Sequence, residues 1–319
     1  MTGTSSTNKR TYAAYGLTFE SMLPLPELSP GERRSNASIT FGIVDRYPTE
    51  LCETSCFCYF SSECEAYFYW NDVGNFLVRN GNEIILAPES DVDECALRLF
   101  VLGPGLAALL HQRGFFVLHA SAVARNREAV LFLGASGAGK STVAAAMHDR
   151  GYEIVADDVV PVDVSSPTGL TICPGFPQVK LWPDSASFLG KDLSIMPRLR
   201  PEAEKRGWGW GDRYSDSMLN LRHVYVLTGG RDANLAIERL GKQETFIEVI
   251  RNSHGVQFLK CRDSSQHVFQ CAQFSRTILA NRVTRAKSLD RLPDLVDMLI
   301  EDIEDHKTAD LNDLWDEIG

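Results

Sequence analysis

Short apolar runs separated by turn residues fill the first part of the chain. Runs of this kind, bounded by Gly, Pro, Asn and Asp, are typical of β-strands joined by tight turns. The pattern therefore predicts a β-rich N-terminal region over residues 1–90. The strand candidates are 38–44, 56–60, 65–70, 75–80 and 83–88.

Apolar residues take helical spacing over residues 91–113. A Gly-Pro-Gly sequence at 103–105 interrupts the spacing, so two helices with a break are expected. Residues 115–124 and 129–134 are apolar again, and a short polar segment separates them. We expect each of these two runs to form one strand.

The remainder of the chain alternates between short apolar runs, which are typical of strands, and apolar residues at helical spacing. Residues 222–228 and 234–240 resemble a strand pair that turns at a Gly-Gly sequence. The pattern is weaker over residues 183–221, where the charged stretch 198–214 resembles a long surface loop. The sequence therefore predicts an α/β fold, with an α/β domain over 91–305 and an acidic tail over 306–319. Further helices are expected at 142–151, 242–253 and 287–304.

Composition and charge narrow the class of protein. With 319 residues and 44% hydrophobic content the chain can bury a sizeable core. A formal net charge of −10 argues against a nucleic-acid partner, because binding to phosphate backbones needs a basic face. We find no apolar run that approaches the roughly eighteen residues of a membrane span and no hydrophobic core of a signal peptide near residue 1, so we expect no membrane partner and a cytoplasmic location.

Eight cysteines are present, and four of them cluster at Cys52, Cys56, Cys58 and Cys64. Reduced thiols in short strands are the first interpretation, because no export signal is evident. A zinc site is the alternative, although the spacing lacks paired C-x-x-C knuckles.

The segment GASGAGKS matches the phosphate-binding pattern G-x-x-x-x-G-K-[ST] between a predicted strand and a predicted helix. Its glycines let successive backbone N–H groups converge on a phosphate, and the following helix adds its N-terminal dipole. Lys140 would contact the β- and γ-phosphates, and Ser141 would be a magnesium ligand. The predicted nucleotide-binding residues are Gly134, Ala135, Ser136, Gly137, Ala138, Gly139, Lys140, Ser141 and Thr142.

Two adjacent carboxylates follow this loop after about one helix and one strand. Neighbouring residues on a strand point to opposite faces, so Asp157 and Asp158 can both serve the loop only if the backbone twists or ends there. One would then approach the magnesium and the other the incoming hydroxyl, unless one of them merely satisfies a turn. His119 is a candidate to tune a neighbouring aspartate or to join in proton transfer, or is a half-buried structural histidine.

The segments VLHASAVA, LFLGASGAGKSTVAAAM and RGYEIVADDVVPV, in this order, resemble the catalytic domain of HPr kinase/phosphorylase, a bacterial serine kinase family. The resemblance implies a P-loop core like that of phosphoenolpyruvate carboxykinase, with ATP and Mg²⁺ as cofactors. It implies that Ser141 and Asp157 position Mg²⁺, that Asp158 is the general base toward a serine hydroxyl, and that His119 supports the aspartates. Either aspartate could be the base. The family's hexamers also make a homo-oligomer conceivable.

The chain departs from that family in the segment that completes the HPr site, so HPr is not the expected acceptor. The segments YAAYGLTFESMLPLPEL, PGFPQVKLWPDS and EKR instead resemble HPr-kinase-related proteins of bacterial peptide-modification clusters. Some of these are lasso peptide kinases, which phosphorylate the C-terminal serine of a precursor peptide.

This second resemblance gives a group of basic residues a function in holding the γ-phosphoryl oxygens or the peptide carboxylate. Solvated surface charge is the alternative for each of them, and Trp208 and Trp210 would cover a peptide or adenine, or anchor a loop. The basic candidates are Lys180, Arg200, Lys205, Arg206 and Arg251.

The sequence therefore predicts an ATP-dependent kinase that phosphorylates a serine of a precursor peptide. A kinase for a small-molecule hydroxyl on the same fold and a nucleotide-sensing module without catalysis are the alternatives. The aspartate pair argues against the sensor, because a sensor needs no base.

Overall fold

The computed structural model describes residues 9–32, 34–44, 56–62, 64–166, 169–199, 204–209, 214, 217–230, 234–254 and 264–316. Within these residues the chain forms two large sheets, a separate hairpin and several helices, so the predicted mixed α/β class is confirmed.

The strands are β1 (Arg10–Ala14), β2 (Leu17–Ser21), β3 (Ser29–Pro30), β4 (Ala37–Phe41), β5 (Cys56–Ser62), β6 (Glu65–Trp70), β7 (Gly74–Arg79), β8 (Glu83–Pro88), β9 (Phe116–Leu118), β10 (Ser121–Arg125), β11 (Glu128–Leu133), β12 (Glu153–Asp157), β13 (Val160–Asp163), β14 (Thr171–Ile172), β15 (Gln178–Leu181), β16 (Arg206–Gly209), β17 (Leu219–Thr228), β18 (Ala236–Arg239) and β19 (Asn281–Thr284). The α-helices are α1 (Glu94–Phe100), α2 (Leu106–Gln112), α3 (Lys140–Asp149), α4 (Pro183–Phe188), α5 (Lys242–Arg251), α6 (Ser264–Thr277) and α7 (Leu292–Asp316).

The N-terminal sheet has the strand order β3-β1-β2-β4-β8-β7-β6-β5 and packs against α1 and α2. Strand β8 shows how alternation builds both faces: Ile84 and Leu86 enter the core with the helices, whereas Ile85 joins a smaller cluster on the opposite face. Phe76 stacks on Phe100 of α1 with ring centroids 3.9 Å apart. Burial of both faces explains why these strands are apolar almost throughout.

The helical segment that follows is broken where the Gly-Pro-Gly sequence predicted a break. Gly103 has non-helical backbone angles, and a π-helical turn at Val101–Gly105 joins α1 to α2. The span Glu94–Gln112 is long and apolar enough by length and composition to cross a membrane, with a mean hydropathy of 1.3. The expectation that no segment meets this criterion was therefore wrong, although 67% of the span is buried inside the protein, as in a core helix.

The central sheet places helices on both of its faces. Its strand order is β12-β10-β11-β17-β14-β13-β9, and β19 with β18 extends it beyond β17. The parallel strands β11, β17 and β19 form the middle of this sheet. On β11, Val130 and Phe132 contact the α3 and α7 side, whereas Leu131 and Leu133 contact the α5 and α6 side. A layered arrangement of this kind opens a site at the carboxyl ends of the parallel strands.

The predicted strand 115–124 and the apolar run that follows α3 are each broken in two, and the breaks meet. Residues 115–124 do not form one strand, because β9 ends at Leu118 and β10 begins at Ser121. Strand β9 pairs with β13, whereas β10 pairs with β11 and β12. The run after α3 is broken in the same way between β12 and β13, and the Asp158 N–H donates to the Ala120 carbonyl across the two breaks at 2.8 Å. His119 therefore lies in a break and not on a strand.

The predicted hairpin at Gly229–Gly230 was wrong as well. Strands β17 and β18 do not pair with each other, because β19 lies between them. Gly229 is needed for this arrangement, since a Cβ there would lie 1.9 Å from the Arg285 carbonyl oxygen. The charged stretch 198–214 was also wrong as a continuous surface loop, because it contains the strand β16, which pairs with β15. Helix α4 lies earlier, in the part of 183–221 where the pattern was weak.

The β1–β2 turn joins the N-terminal sheet to the central sheet. Tyr15 has a φ of +54° and is 2% exposed. Its backbone N–H donates to the Pro174 carbonyl at 2.9 Å, and its hydroxyl donates to the Val159 carbonyl at 3.1 Å. Its ring meets Phe176 edge to face, with centroids 6.2 Å apart. One tyrosine thus connects the N-terminal sheet to the segment next to Asp158.

We expect Tyr15→Ala to lower the free energy of unfolding by about 3–5 kcal/mol, because it empties a buried aromatic site. Tyr15→Phe should cost about 1 kcal/mol, since only the hydroxyl is lost. Denaturant unfolding of both variants measures these values. Equal stability of Tyr15→Ala and the parent chain would show that the two sheets do not depend on this contact.

Candidate active site

A cavity of about 380 Å³ opens at the carboxyl end of β11. Six segments line it: the glycine-rich loop with the start of α3, the two strand breaks, the β15 end with α4, Lys205 just before β16, and the segment that joins β19 to α7. The structure therefore brings the loop, His119, Asp157, Asp158 and Lys180 to one place.

The glycine-rich loop connects β11 to α3, so the predicted strand and helix flank it. Gly134, Gly137 and Gly139 all have positive φ angles. A Cβ on Gly139 would lie 2.3 Å from the guanidinium of Arg285, which donates to the Ala138 carbonyl at 2.6 Å. The loop thus needs glycine both for its curl and for this close contact.

The N-terminus of α3 supplies the cationic part of the loop. Gly139 caps this helix without a side-chain hydrogen bond, so its first N–H groups are available for an anion. Lys140 curls over the loop, and its Nζ donates to the Gly134 carbonyl at 2.7 Å. Burial lowers the pKa of the Lys140 ammonium, with Asp157 and Asp158 acting in the opposite direction.

Asp157 is the last residue of β12 and is 6% exposed. Its Oδ1 accepts from Ser121 Oγ at 2.5 Å and from Ser141 Oγ at 2.9 Å. Its Oδ2 accepts from the Lys180 backbone N–H at 2.9 Å. Carboxylate and hydroxyl oxygens are the ligands that Mg²⁺ prefers, so the Ser141 and Asp157 pair fits this ion.

Asp158 turns away from its neighbour because the strand ends between them. Its φ of +76° is unusual for a residue other than glycine. Its carboxylate accepts from Lys180 Nζ at 2.6 Å and pairs with His119 Nδ1 at 2.9 Å. Burial alone would raise the pKa of Asp158, but the Lys180 ammonium and the His119 ring outweigh it and hold this pKa well below its usual range.

The segment after α5 holds these groups in place, and sequence reasoning missed it. The Asn252 side-chain oxygen accepts from the Gly134 N–H at 2.8 Å, and its carbonyl accepts from the His119 N–H at 2.7 Å. His254 Nε2 donates to the Asp158 carbonyl at 3.0 Å. Burial lowers the pKa of His254 to about 4, so this ring is neutral at physiological pH. The sequence signal for these residues was weak, because a polar segment at a helix end is usually only a cap.

Two histidines and one aspartate of this site lie close enough together to bind a metal ion. Among the described residues, ligand atoms of His119, Asp158 and His254 lie within 4.8 Å of one another. A cation there would compete with the Lys180 ammonium for the Asp158 carboxylate. In the N-terminal cysteine cluster, Cys58 and Cys64 form no disulfide, and Cys52 lies outside the described residues.

The basic candidates separate into different places. Lys180 and Lys205 line the cavity, and Lys205 Nζ lies 5.4 Å from the centroid of the exposed Trp182 ring. Arg206 instead donates to the Met196 carbonyl at 3.1 Å, and Arg251 is exposed and pairs with Glu248. Neither arginine lines this cavity.

The remaining sequence predictions concern one arginine and two tryptophans. Arg200 and Trp210 lie outside the described residues. Trp208 lies beneath Lys191 Nζ, which is 4.6 Å from the ring centroid, and this contact supports its interpretation as a loop anchor.

Trp182, Arg285 and Lys287 line the cavity but were not predicted, because no local motif marks them.

Comparison with known proteins identifies similar solved structures. No family model and no curated protein matches the sequence. Among solved structures, the chain is similar to the HPr(Ser) kinase/phosphatase from Coxiella burnetii, with 14% identity over 62% of this chain and 97% of that chain and a TM-score of 0.35. A similarity at this level does not define a family, so the functional argument below rests on the site.

We expect Lys180→Met to lower the free energy of unfolding by about 2–5 kcal/mol, because it leaves the Asp158 carboxylate without its closest cation. The double variant Lys180→Met with Asp158→Asn should be more stable than Lys180→Met alone. Denaturant unfolding of the four proteins in this cycle measures the coupling. Additive effects would contradict a direct ion pair.

Proposed function

We propose that this protein is an ATP-dependent kinase that transfers the γ-phosphoryl group to a hydroxyl of a peptide. The acceptor we favour is the C-terminal serine of a lasso precursor peptide, on the sequence resemblance given above. One observation carries the kinase proposal: a phosphate-binding loop and two carboxylates with different partners line the same cavity. Phosphoryl transfer needs these two functions together.

The loop and its lysine would bind the nucleotide. The N–H groups at the start of α3 and the Lys140 ammonium are directed to the loop interior, where phosphate oxygens bind in proteins with this motif. Lys140 would exchange its contact with the Gly134 carbonyl for phosphate oxygens. Trp182 and the leucines at the start of α7 provide apolar surfaces at the cavity rim, which suit a nucleoside base.

Ser141 and Asp157 would hold Mg²⁺. The bound ion would neutralise charge on the β- and γ-phosphate oxygens. Ser121 and the Lys180 backbone N–H donate to the same carboxylate and fix its orientation beside Ser141, so Mg²⁺ would take the remaining acceptor site of Asp157.

Asp158 is therefore the residue that we assign to the acceptor. Its carboxylate would accept the hydrogen bond of the hydroxyl and take the proton as the oxygen forms its bond to the γ-phosphorus and ADP leaves. The lowered pKa makes Asp158 a weak base. A phosphoryl transfer with a loose transition state needs positioning more than base strength, so this pKa is compatible with the function.

The proposal is tested with ATP, Mg²⁺ and the precursor peptide encoded beside the gene, with phosphate on the peptide serine read by mass spectrometry. We expect Asp158→Asn to lower the rate of transfer by about 10²–10⁴-fold while the Kd of a fluorescent ATP analogue stays within about threefold. Asp91→Asn is the matched control, because Asp91 is exposed and also has a positive φ.

The outcomes separate the candidate functions. Loss of transfer with retained ATP binding in Asp158→Asn supports the kinase. ATP binding without hydrolysis or transfer in the parent chain would favour the nucleotide sensor. Absence of ATP binding would reject the proposal as a whole.

His254 gives a further test, because it holds the Asp158 backbone and touches no substrate. We expect His254→Leu to lower kcat by about 10²-fold with an unchanged Kd for ATP, since a small displacement of Asp158 misaligns the hydroxyl. In His254→Gln the amide can donate to the same carbonyl, so most of the activity should return. Equal activities of the two variants would show that this hydrogen bond has no influence on catalysis.

A further inference from the structure

A second cavity of about 390 Å³ adjoins the proposed active site. Lys180 lines both cavities, and its side chain is 11% exposed. Because Lys180 Nζ pairs with Asp158, Lys180 connects the second cavity to the carboxylate that we assign to the acceptor hydroxyl. Its volume lies within the range of ligand sites.

The β15–β16 hairpin forms the floor of this second cavity. Along β15, Val179 and Leu181 are buried in the core, whereas Gln178 and Lys180 lie on the opposite face. This alternation places Gln178 and Lys180 in one row that ends at the Asp158 carboxylate. A bound chain that followed this row would bring its end to Asp158.

The walls come from the N-terminal sheet and its helix. Leu99 of α1 and Leu102 of the π-helical turn contribute apolar surface, and Pro26 with Glu27 contributes the facing edge. Arg98 Nε donates to Glu27 Oε1 at 3.1 Å, and both side chains are 17% exposed. The wall therefore presents apolar surface around one neutralised ion pair.

The side chains that line the second cavity favour a peptide over a sugar or polyol as the phosphate acceptor. A small polyol or sugar would need many hydrogen-bonding groups around it. Three leucines and three prolines line this cavity, and three of its charged side chains, Glu27, Arg98 and Lys180, are already paired with opposite charges. A peptide presents apolar side chains and a backbone whose N–H groups need acceptors. Within the part of the chain that the structure describes, Glu27 Oε2 is a buried acceptor without a hydrogen-bond partner.

We propose that this second cavity binds the residues of a peptide acceptor that precede its phosphorylated hydroxyl, with the hydroxyl directed to Asp158. The inference rests on the proposed kinase function. It assigns the N-terminal sheet to substrate selection, because α1 and the Pro26–Glu27 segment form the walls and take no part in the nucleotide site.

The test fills the cavity without touching the nucleotide site. The probe is a pool of short synthetic peptides with randomised sequence and a C-terminal serine, together with ATP and Mg²⁺. We expect Leu99→Trp to lower phosphate transfer to the pool by about tenfold or more, with ATP affinity and ATP hydrolysis unchanged. Leu99→Met conserves volume and should transfer as the parent does. Ile247→Trp is the control, since Ile247 is a half-exposed aliphatic residue of α5 outside both cavities.

Retained ATP binding shows that Leu99→Trp is folded. If that variant does not fold, Leu99→Gln places an amide in the same wall without added volume, and the same loss is expected. Transfer by either folded variant at the parent's rate would overturn the assignment of the cavity. ATP hydrolysis by the parent without transfer to any peptide would overturn the peptide acceptor and leave the nucleotide chemistry standing, whereas absence of ATP binding would reject the proposed function itself.

Discussion

The geometry of the site depends on the backbone at Asp158. The break between β12 and β13 lies there, and the Asp158 N–H donates to the Ala120 carbonyl in the break between β9 and β10. A positive φ at Asp158 lets two adjacent carboxylates face different partners. Asp157 meets Ser141, and Asp158 meets Lys180 and His119. A continuous strand would have sent one of the two to the opposite face of the sheet.

A strained backbone of this kind needs support from its surroundings. The segment after α5 provides much of this support, because His254 donates a hydrogen bond to the Asp158 carbonyl. Asn252 accepts hydrogen bonds from His119 and from Gly134, the first residue of the glycine-rich loop. Tyr15 reaches the neighbouring Val159 carbonyl from the N-terminal sheet. The loop, the carboxylates and the N-terminal sheet are therefore mechanically connected through hydrogen bonds to a few backbone groups.

Local patterns anticipated much of the fold. Strands β6 and β8 begin and end at the residues that their apolar runs predicted, and the Gly-Pro-Gly break between α1 and α2 is present. Predictions failed where pairing is not local. The expected hairpin of β17 and β18 is separated by β19, a strand about fifty residues further along the chain, and no local pattern contains that information.

The sequence by itself determined the glycine-rich loop and the identity of the two carboxylates, because the loop's glycines, lysine and serine act through local backbone geometry. Only the tertiary structure decided which carboxylate serves which partner, that Lys180 pairs with Asp158, and that Arg251 lies elsewhere. The tertiary structure also decided that Asn252 accepts a hydrogen bond from Gly134 and that His254 donates one to the Asp158 carbonyl. The reason is physical: hydrogen bonds and ion pairs between residues distant in the chain depend on how the strands cross, and neither period nor motif encodes that crossing.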